Sequence, residues 1–479
     1  MFDKKPNIHL MEMYDRYYLY DVNTNGICML TENVYLFLKQ LGNDTKKNNL
    51  LYEKLEENDK EDINYLLDAG FLKPLNDKLI LEHFEADKLK DYYAGNMQSL
   101  ILQVTQNCNL RCQYCVYSGS YVNRVHNNKR MSVETAIQAV DFLAHHSVNS
   151  NEISIGFYGG EPLLEIELIK QTVEHAKKIF AGKIVRFNMT TNATLLNVET
   201  VEFLYENNFA LTISLDGPSD IQNKNRIFAN SNKGTFNYIM KNLEMIVEKY
   251  PDFVKQITFN AVIDLKQDVS CSDKFFLTYD MVKNIGVAGN YVNTENRKEE
   301  IDVSPEFCAI SNYEIFKVYL YSCQKEMFQI YKPTLHKFEL GLIKQQLADR
   351  FVVDESSKES MYPGGQCLPG IQRFFVNVDG KFYPCERVDE EAEEFCIGSL
   401  EEGINVEKAK NLLNVATITS EECKNCWCYK MCNQCISKAE ANGKIDRNQR
   451  LKWCYNMRSS IEDTIKNYII LKDLKGNIE

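Results

Sequence analysis

Long apolar segments are absent from this chain of 479 residues. No apolar run approaches the roughly 18 residues that a helix needs to cross a bilayer, so we expect no contact with a membrane. The first residues have no apolar signal core behind them, which predicts a cytoplasmic rather than an exported protein. Basic residues are outnumbered by acidic ones: 55 Lys and Arg against 67 Asp and Glu leave a net charge of −12. This negative charge argues against broad nucleic-acid binding.

Cysteine is present at an intermediate density, with 16 residues in the chain. This number is too low for a disulfide scaffold and too high for chance in a reduced compartment. Three cysteines lie at positions 108, 112 and 115, and most of the others lie in the range 367–454. Two such clusters in a chain without an export signal predict metal binding. The hydrophobic content of 44% is ordinary for a folded protein, and the length predicts roughly three domains.

Residues 1–90 are expected to form a small winged-helix-like α+β domain, although a plain structural appendage fits the same pattern. The pattern combines strands, three short helices and a wing. Its signals are, in order, a strand at 9–22, a turn at 23–26, a strand at 27–30, the helix N-cap Thr31, the C′ glycine Gly70 and the start of a wing at Phe71.

Residues 91–300 alternate strand and helix patterns, which predicts an α/β fold with a parallel sheet and right-handed crossovers. Six such units suit a partial (β/α)6 TIM barrel, with function at the carboxyl ends of the strands. Residues 301–350 are expected to form a helical bridge, and 351–479 a loop-rich domain that metal groups would cross-link. The predicted strands are 100–104, 153–157, 184–189, 210–215, 257–263 and 287–292, and the predicted helices include 133–146, 165–180, 198–206 and 236–248.

The first cysteine motif, Cys108, Cys112 and Cys115, directly follows the first predicted strand with the spacing C-x3-C-x2-C. Structural zinc takes four ligands, so three thiolates suit it poorly. Three thiolates do suit a cubane [4Fe–4S] cluster with one iron left open for a small molecule. The motif therefore predicts a reactive iron at the carboxyl end of a parallel strand.

With the aromatic Tyr114 before its last cysteine, this motif resembles that of the radical S-adenosylmethionine (radical SAM) superfamily. The resemblance implies that the open iron binds SAM and that reductive cleavage yields a 5′-deoxyadenosyl radical, which abstracts a hydrogen atom from the substrate. It also implies cofactor contacts at successive strand ends. These are the Gly159-Gly160-Glu161-Pro162 motif at the methionine amino group, Asn192 near the ribose, Ser214 in an SxDGP stretch, and Arg226 at the methionine carboxylate.

The second cysteine set resembles the SPASM extension of radical SAM enzymes that modify peptides, with one spacing of x2 where that pattern has x3. The resemblance implies two auxiliary [4Fe–4S] clusters, and hence three clusters in all. One would be held by Cys423, Cys426, Cys432 and Cys454. The other would be held by Cys367, Cys385 and Cys435, with an open iron for a substrate thiolate. Cys428 is expected to lie outside both ligand sets, and zinc in place of the clusters is the alternative reading of the CxxC pairs.

Taken together, these parts resemble maturases of ribosomally made, cysteine-rich peptides. That resemblance implies a precursor bound through its leader by strand addition, thioether formation between a Cys sulfur and a carbon, and an electron donor such as flavodoxin or ferredoxin. The alternatives are carbon–carbon cross-linking, formylglycine formation of the anaerobic sulfatase-maturing type, and a non-catalytic zinc-binding module. Asp264, Asp379 and Glu386 are candidate acids or bases by position only, and His145 and His146 are expected to cap a helix.

Overall fold

The computed structural model describes residues 4–74, 80–121, 125–295, 297–324, 326–328, 332, 334–344, 347, 360–363 and 367–474. Part of the predicted wing, 75–79, lies outside these residues. Within the described part of the chain, no helix has both the length and the apolar character needed to span a membrane.

The amino-terminal region is a three-stranded antiparallel sheet followed by three helices. The predicted strand at 9–22 is in fact two strands, because Tyr14 and Asp15 adopt positive φ angles of 52° and 57° and form a tight turn. Thr31 accepts a hydrogen bond from Val34 N, as its predicted capping role requires. The elements are β1 (Ile8–Met13), β2 (Arg16–Asp21), β3 (Gly26–Leu30), α1 (Glu32–Gln40), α2 (Thr45–Glu53) and α3 (Glu57–Asp68).

The wing that we expected to start at Phe71 does not start there. Leu72 is buried and its N–H donates to the Asp21 carboxylate at 2.9 Å, so this segment fastens the end of α3 to the sheet. The next strand, β4 (Ile80–Leu81), pairs in parallel with a distant strand, β11 (Ser360–Met361). Strand pairing across such a sequence separation gives no local signal in the chain.

Six parallel strands form the centre of the molecule and lie side by side in chain order. The six predicted strands and the four predicted helices are confirmed to within about two residues, whereas the helices Ser219–Asn225 and Val269–Thr278 were not predicted. The elements are α4 (Leu89–Gly95), β5 (Ser99–Thr105), α5 (Val133–His145), β6 (Glu152–Gly159), α6 (Ile166–Ile179), β7 (Ile184–Thr191), α7 (Val198–Glu206), β8 (Ala210–Ser214), α8 (Ser219–Asn225), α9 (Phe236–Lys249), β9 (Ile257–Ile263), α10 (Val269–Thr278) and β10 (Gly286–Tyr291).

The two faces of this sheet differ because side chains alternate along each strand. On β6, Ile153, Ile155 and Phe157 are buried in the main core. The side chains between them are small or polar: Ser154 accepts a hydrogen bond from Asn188 of β7 at 3.1 Å. The sheet therefore has one apolar face in the core and one polar face.

The C-terminal region continues the same sheet. Strand β12 lies parallel to β5, and β13, β14 and β15 follow in antiparallel order, so that the sheet has ten strands. The first parallel strand is thus an interior strand of the sheet. The remaining elements are α11 (Pro305–Cys323), α12 (Lys337–Ile343), β12 (Phe374–Val376), β13 (Lys381–Tyr383), β14 (Gly398–Ser399), β15 (Gly403–Ile404), α13 (Val406–Leu413), α14 (Ser420–Lys424), β16 (Glu440–Ala441), β17 (Lys444–Ile445), α15 (Arg447–Lys452) and α16 (Cys454–Asp473).

The amino-terminal sheet packs against this C-terminal region. The ring of His9 stacks on Trp427 with 3.7 Å between centroids and an interplanar angle of 6°. His9 Nε2 also lies 3.0 Å from the Glu462 carboxylate on α16. Tyr20 of β2 and Ile465 of α16 belong to one shared apolar cluster. The two ends of the chain therefore form a common core.

Replacing His9 with Ala tests this interface. The variant loses the ring stack and the contact with Glu462, so we expect a loss of about 1 kcal/mol and faster hydrogen exchange of the β1 amides. Met29→Ala is the matched control, because Met29 lies in the same sheet and is 65% exposed. Equal exchange of β1 in both variants would show that the stack does not hold the sheet in place.

Candidate functional site

The predicted catalytic cysteines Cys108, Cys112 and Cys115 lie on one loop after the carboxyl end of β5, and all three are half-buried. Arg111 N donates to the carbonyl of Ile227 at 2.8 Å and anchors the loop. Burial raises the pKa of the Cys108 and Cys112 thiols to about 12. Thiolates at these positions therefore require a positive centre, and three sulfurs on one short loop suit an iron–sulfur cluster.

Gly159 and Gly160 end β6 and pack directly on the cysteine loop. Gly160 N donates to Thr105 O, and Glu161 N donates to Asn107 O, both at 2.9 Å. A Cβ atom at Gly159 would lie 2.0 Å from Thr105 O, and one at Gly160 would lie 2.1 Å from Asn107 O. The space beside both glycines is thus filled by the backbone of the cysteine loop. Glycine is required at both positions for that reason.

The Glu161 carboxylate is 1% exposed and is fully engaged by the protein. Its oxygens accept hydrogen bonds from the Thr191 hydroxyl at 2.6 Å, from Asn192 N at 2.8 Å and from Leu163 N at 3.1 Å. Burial raises the pKa of Glu161 to about 7, although these donors act in the opposite direction. We expected this carboxylate to meet the SAM ammonium. In the structure these contacts tie the ends of β6 and β7 together, and the contact with the ammonium stays a prediction.

A buried ion pair lies beside the cysteine loop. Arg226 Nε and Nη2 donate to the two carboxylate oxygens of Asp216 at 2.9 and 3.1 Å. Val262 N donates to the same carboxylate at 2.9 Å, and the Tyr114 hydroxyl donates to it as well. The Arg226 guanidinium lies 5.3 Å from the centre of the Tyr114 ring. Arg226 therefore pairs with Asp216, and its expected contact with the methionine carboxylate stays a prediction.

The ends of β7 and β8 carry the remaining predicted cofactor residues. Asn192 Nδ2 donates to Asn109 Oδ1 at 2.8 Å and lies 3.9 Å from the Cys108 sulfur. Ser214 is the last residue of β8 and is buried. The carboxyl ends of β5 to β8 thus converge on the cysteine loop, as the parallel sheet requires.

One buried network beside this loop has no counterpart in the sequence motifs. Gln103 Nε2 and the Tyr117 hydroxyl donate to the Glu390 carboxylate at 2.9 and 3.0 Å. Gln106 Nε2 approaches the other carboxylate oxygen at 3.4 Å. Gln103 and Tyr117 flank the cysteines in sequence, whereas Glu390 comes from the C-terminal region. The network therefore joins the two cysteine-bearing parts of the chain.

Five cysteines of the C-terminal region line one cavity. Cys428, which we expected to lie outside the ligand set, is 1% exposed, and its sulfur lies 3.5 Å from that of Cys426. In the described part of the chain, no three His, Cys, Asp or Glu side chains are arranged to hold a single metal ion. Five thiols on one cavity form a donor set that suits an iron–sulfur cluster. The four predicted ligands in the lining are Cys423, Cys426, Cys432 and Cys454.

The other predicted set, Cys367, Cys385 and Cys435, also comes together. Burial raises the pKa of the Cys367 and Cys385 thiols, and the charge of Cys435 raises both further. Arg373 lies next to this set, where its Nε donates to the Glu386 carboxylate at 2.9 Å. The Arg373 guanidinium thus lies near two of the three thiols, Cys367 and Cys385, and its charge lowers the pKa of both.

The three acid or base candidates have structural partners. Asp379 forms an exposed ion pair with Lys129 at 2.7 Å. Asp264 accepts a hydrogen bond from Gln267 at 3.0 Å, and Glu386 pairs with Arg373. Each of the three carboxylates thus has a structural partner, and these contacts require no role in proton transfer. His145 and His146 lie at the end of α5, in keeping with the capping role that we predicted.

Comparison with known families agrees with this geometry. Residues 102–267, from β5 to the segment after β9, match the family model described as the radical SAM superfamily. This part of the chain is therefore a radical SAM domain, and the chain is similar to sulfatase-maturating and other maturation enzymes.

Several relatives are similar over most of the chain. A cysteine-type anaerobic sulfatase-maturating enzyme of Clostridium novyi is 26% identical over 77% of this chain and 96% of its own length. The radical SAM cyclopropyl synthase TigE of Paramaledivibacter caminithermalis is 26% identical over 59% of both chains. The sporulation killing factor maturation protein SkfB of Bacillus subtilis is 24% identical over 61% of this chain and 60% of its own length.

A similar fold is found in the solved structure of native anSMEcpe with bound AdoMet. It has a TM-score of 0.57 at 20% sequence identity and covers 79% of this chain and 98% of that chain. This likeness supports the α/β fold with its central parallel sheet.

Replacing Gly160 with Ala tests the packing of the glycine turn on the cysteine loop. The new methyl group would meet the Asn107 carbonyl, so the loop must shift. After anaerobic reconstitution we expect about four fewer iron atoms per chain than in the wild type. Gly42→Ala is the control, because a Cβ there has nothing within 4 Å. Full iron content in Gly160→Ala would contradict the packing.

Replacing Asp216 with Ala tests the buried ion pair. The change leaves the Arg226 guanidinium buried without its carboxylate, which costs about 3–5 kcal/mol of unfolding free energy. Denaturant titration of the anaerobic protein measures this loss. Asp220→Ala, at an exposed aspartate on the following helix, is expected to change stability by less than about 1 kcal/mol. Equal effects of the two changes would rule out a stabilising role for the pair.

Proposed function

We propose that this radical SAM enzyme modifies a ribosomally made, cysteine-rich precursor peptide and joins a Cys sulfur to a carbon of another residue as a thioether. The observation that carries the proposal is the presence of two further cysteine sets in the C-terminal region, next to an amino-terminal sheet whose edge strand β3 pairs only with β2 among the described residues. The similarity to TigE and to the maturation protein SkfB supports a peptide substrate.

In this proposal Cys108, Cys112 and Cys115 hold the SAM-binding [4Fe–4S] cluster. The bound cluster and SAM supply the 5′-deoxyadenosyl radical that removes a hydrogen atom from the peptide. The backbone of the Gly159–Glu161 turn, together with Tyr114, Asn192 and Ser214, forms the cofactor site. The Arg226–Asp216 pair fixes the Tyr114 hydroxyl and so holds the site rigid.

The C-terminal residues 351–479 act as a SPASM domain with two auxiliary [4Fe–4S] clusters. Cys367, Cys385 and Cys435 leave one position open, where the thiolate of a substrate cysteine binds. The positive charge of Arg373 favours the thiolate form of that cysteine. Flavodoxin or ferredoxin is the proposed electron donor.

Residues 1–90 serve as the precursor-recognition element, and the leader adds a strand to their sheet. Among the described residues β3 pairs with β2 alone, so the other side of β3 has backbone groups for a further strand. At the opposite side of the sheet, His9 on β1 is covered by Trp427 and Glu462. The acidic residues of α3 argue against DNA as the ligand.

Two other activities are supported by particular relatives. Formylglycine formation on a sulfatase is favoured by the match to 96% of the length of the Clostridium novyi enzyme. Carbon–carbon bond formation is favoured by the similarity to the cyclopropyl synthase TigE. A sulfatase maturase does not need the amino-terminal sheet, so the presence of this sheet distinguishes thioether formation from formylglycine formation. The chemical state of the substrate cysteines after the reaction distinguishes all three activities.

Anaerobic co-expression with a cysteine-rich peptide encoded beside this gene tests the proposal. Each thioether removes two hydrogen atoms and one alkylatable thiol, so mass spectrometry after iodoacetamide treatment should show both losses together. We expect the Cys108→Ala variant and a leaderless peptide to give unmodified product. Loss of hydrogen with every thiol still alkylated would indicate a carbon–carbon bond, and an aldehyde trapped by a hydrazide would indicate formylglycine. Either result would contradict the thioether proposal.

A further inference from the structure

Two sulfurs in the C-terminal cavity are too close to belong to separate corners of a cluster. Cys426 Sγ and Cys428 Sγ lie 3.5 Å apart. Two thiolates on one tetrahedral metal, each about 2.3 Å from it, are separated by about 3.8 Å. Ligands of different irons in a cubane are farther apart than this. The two thiols are therefore placed to bind the same iron atom of a cluster.

The backbone explains why both sulfurs face the cavity. Cys426 N donates to Cys423 O at 3.1 Å, and Met431 N donates to Cys428 O at 3.0 Å, so the segment folds into successive tight turns. Cys426 and Cys428 both line the cavity, while the ring of Trp427 between them stacks on His9 of the amino-terminal sheet. The tryptophan contact thus orients its two neighbours toward the cavity.

We propose that Cys426 and Cys428 are interchangeable ligands of the auxiliary cluster that Cys423, Cys432 and Cys454 hold at its other corners. When one thiolate leaves the iron it takes up a proton, and the other thiol gives up its proton as it binds, so no electron is exchanged. The inference rests on the proposed function, because it takes the cavity to hold a [4Fe–4S] cluster. It adds Cys428 to the ligand set.

Alanine variants of the two cysteines, singly and together, test this inference in the full-length protein. After anaerobic reconstitution we expect about twelve iron atoms per chain in the wild type and in each single variant, and about eight in the double variant. Cys423→Ala is expected to fall to about eight on its own. Cys396→Ala is the matched control, because Cys396 is a buried thiol outside the cavity lining and donates to Gly398 O.

Electron paramagnetic resonance of the reduced proteins gives a second readout that a merely structural thiol would not change. We expect the cluster of this cavity to give two overlapping signals in the wild type and only one of the two in each single variant, beside the unchanged signal of the other auxiliary cluster. Loss of four iron atoms in Cys426→Ala alone, or none in the double variant, would overturn the inference while leaving the proposed function intact. A wild type with only about four iron atoms would overturn the proposed function itself and this inference with it.

Discussion

The close approach of two backbone turns is the constraint on which the candidate site depends. The turn at Gly159 and Gly160 hydrogen-bonds to the backbone that leads into Cys108, at distances where no side chain fits. This contact joins the ends of β5 and β6, and the Glu161 carboxylate extends it to β7. The cysteine loop is therefore held by main-chain contacts with two strand ends. A three-thiol site is in this way preorganised by the parallel sheet.

The two buried charges beside the cysteine loop pair with each other. Arg226 and Asp216 are both buried, and the cost of desolvating them is offset by two hydrogen bonds between them and by those from Tyr114 and Val262. Such a pair holds the loop in one conformation, since any shift would leave a buried charge without its partner. The rigid position of Tyr114, directly before Cys115, follows from the same contacts.

The C-terminal region is part of the same framework. β12 pairs with β5, the strand that carries the first cysteine motif, and Glu390 binds groups on both sides of that motif. The amino-terminal sheet in turn contacts the C-terminal cavity through Trp427, which stands between two cysteines of its lining. The C-terminal region thus contacts both the amino-terminal sheet and the central sheet.

The sequence by itself determined the central sheet and the position of the first cysteine motif, because strand and helix periodicities and the spacing of ligands are local properties. It also placed the caps at Thr31 and Gly70, which depend on a few neighbouring residues. Contacts between residues far apart in the chain were decided only by the tertiary structure. These include the pairing of Arg226 with Asp216 across the loop, the engagement of Glu161 by β7, the addition of β12 to the sheet edge and the turn of Cys428 into the cavity. Each depends on which surfaces meet after folding, and no local pattern carries that information.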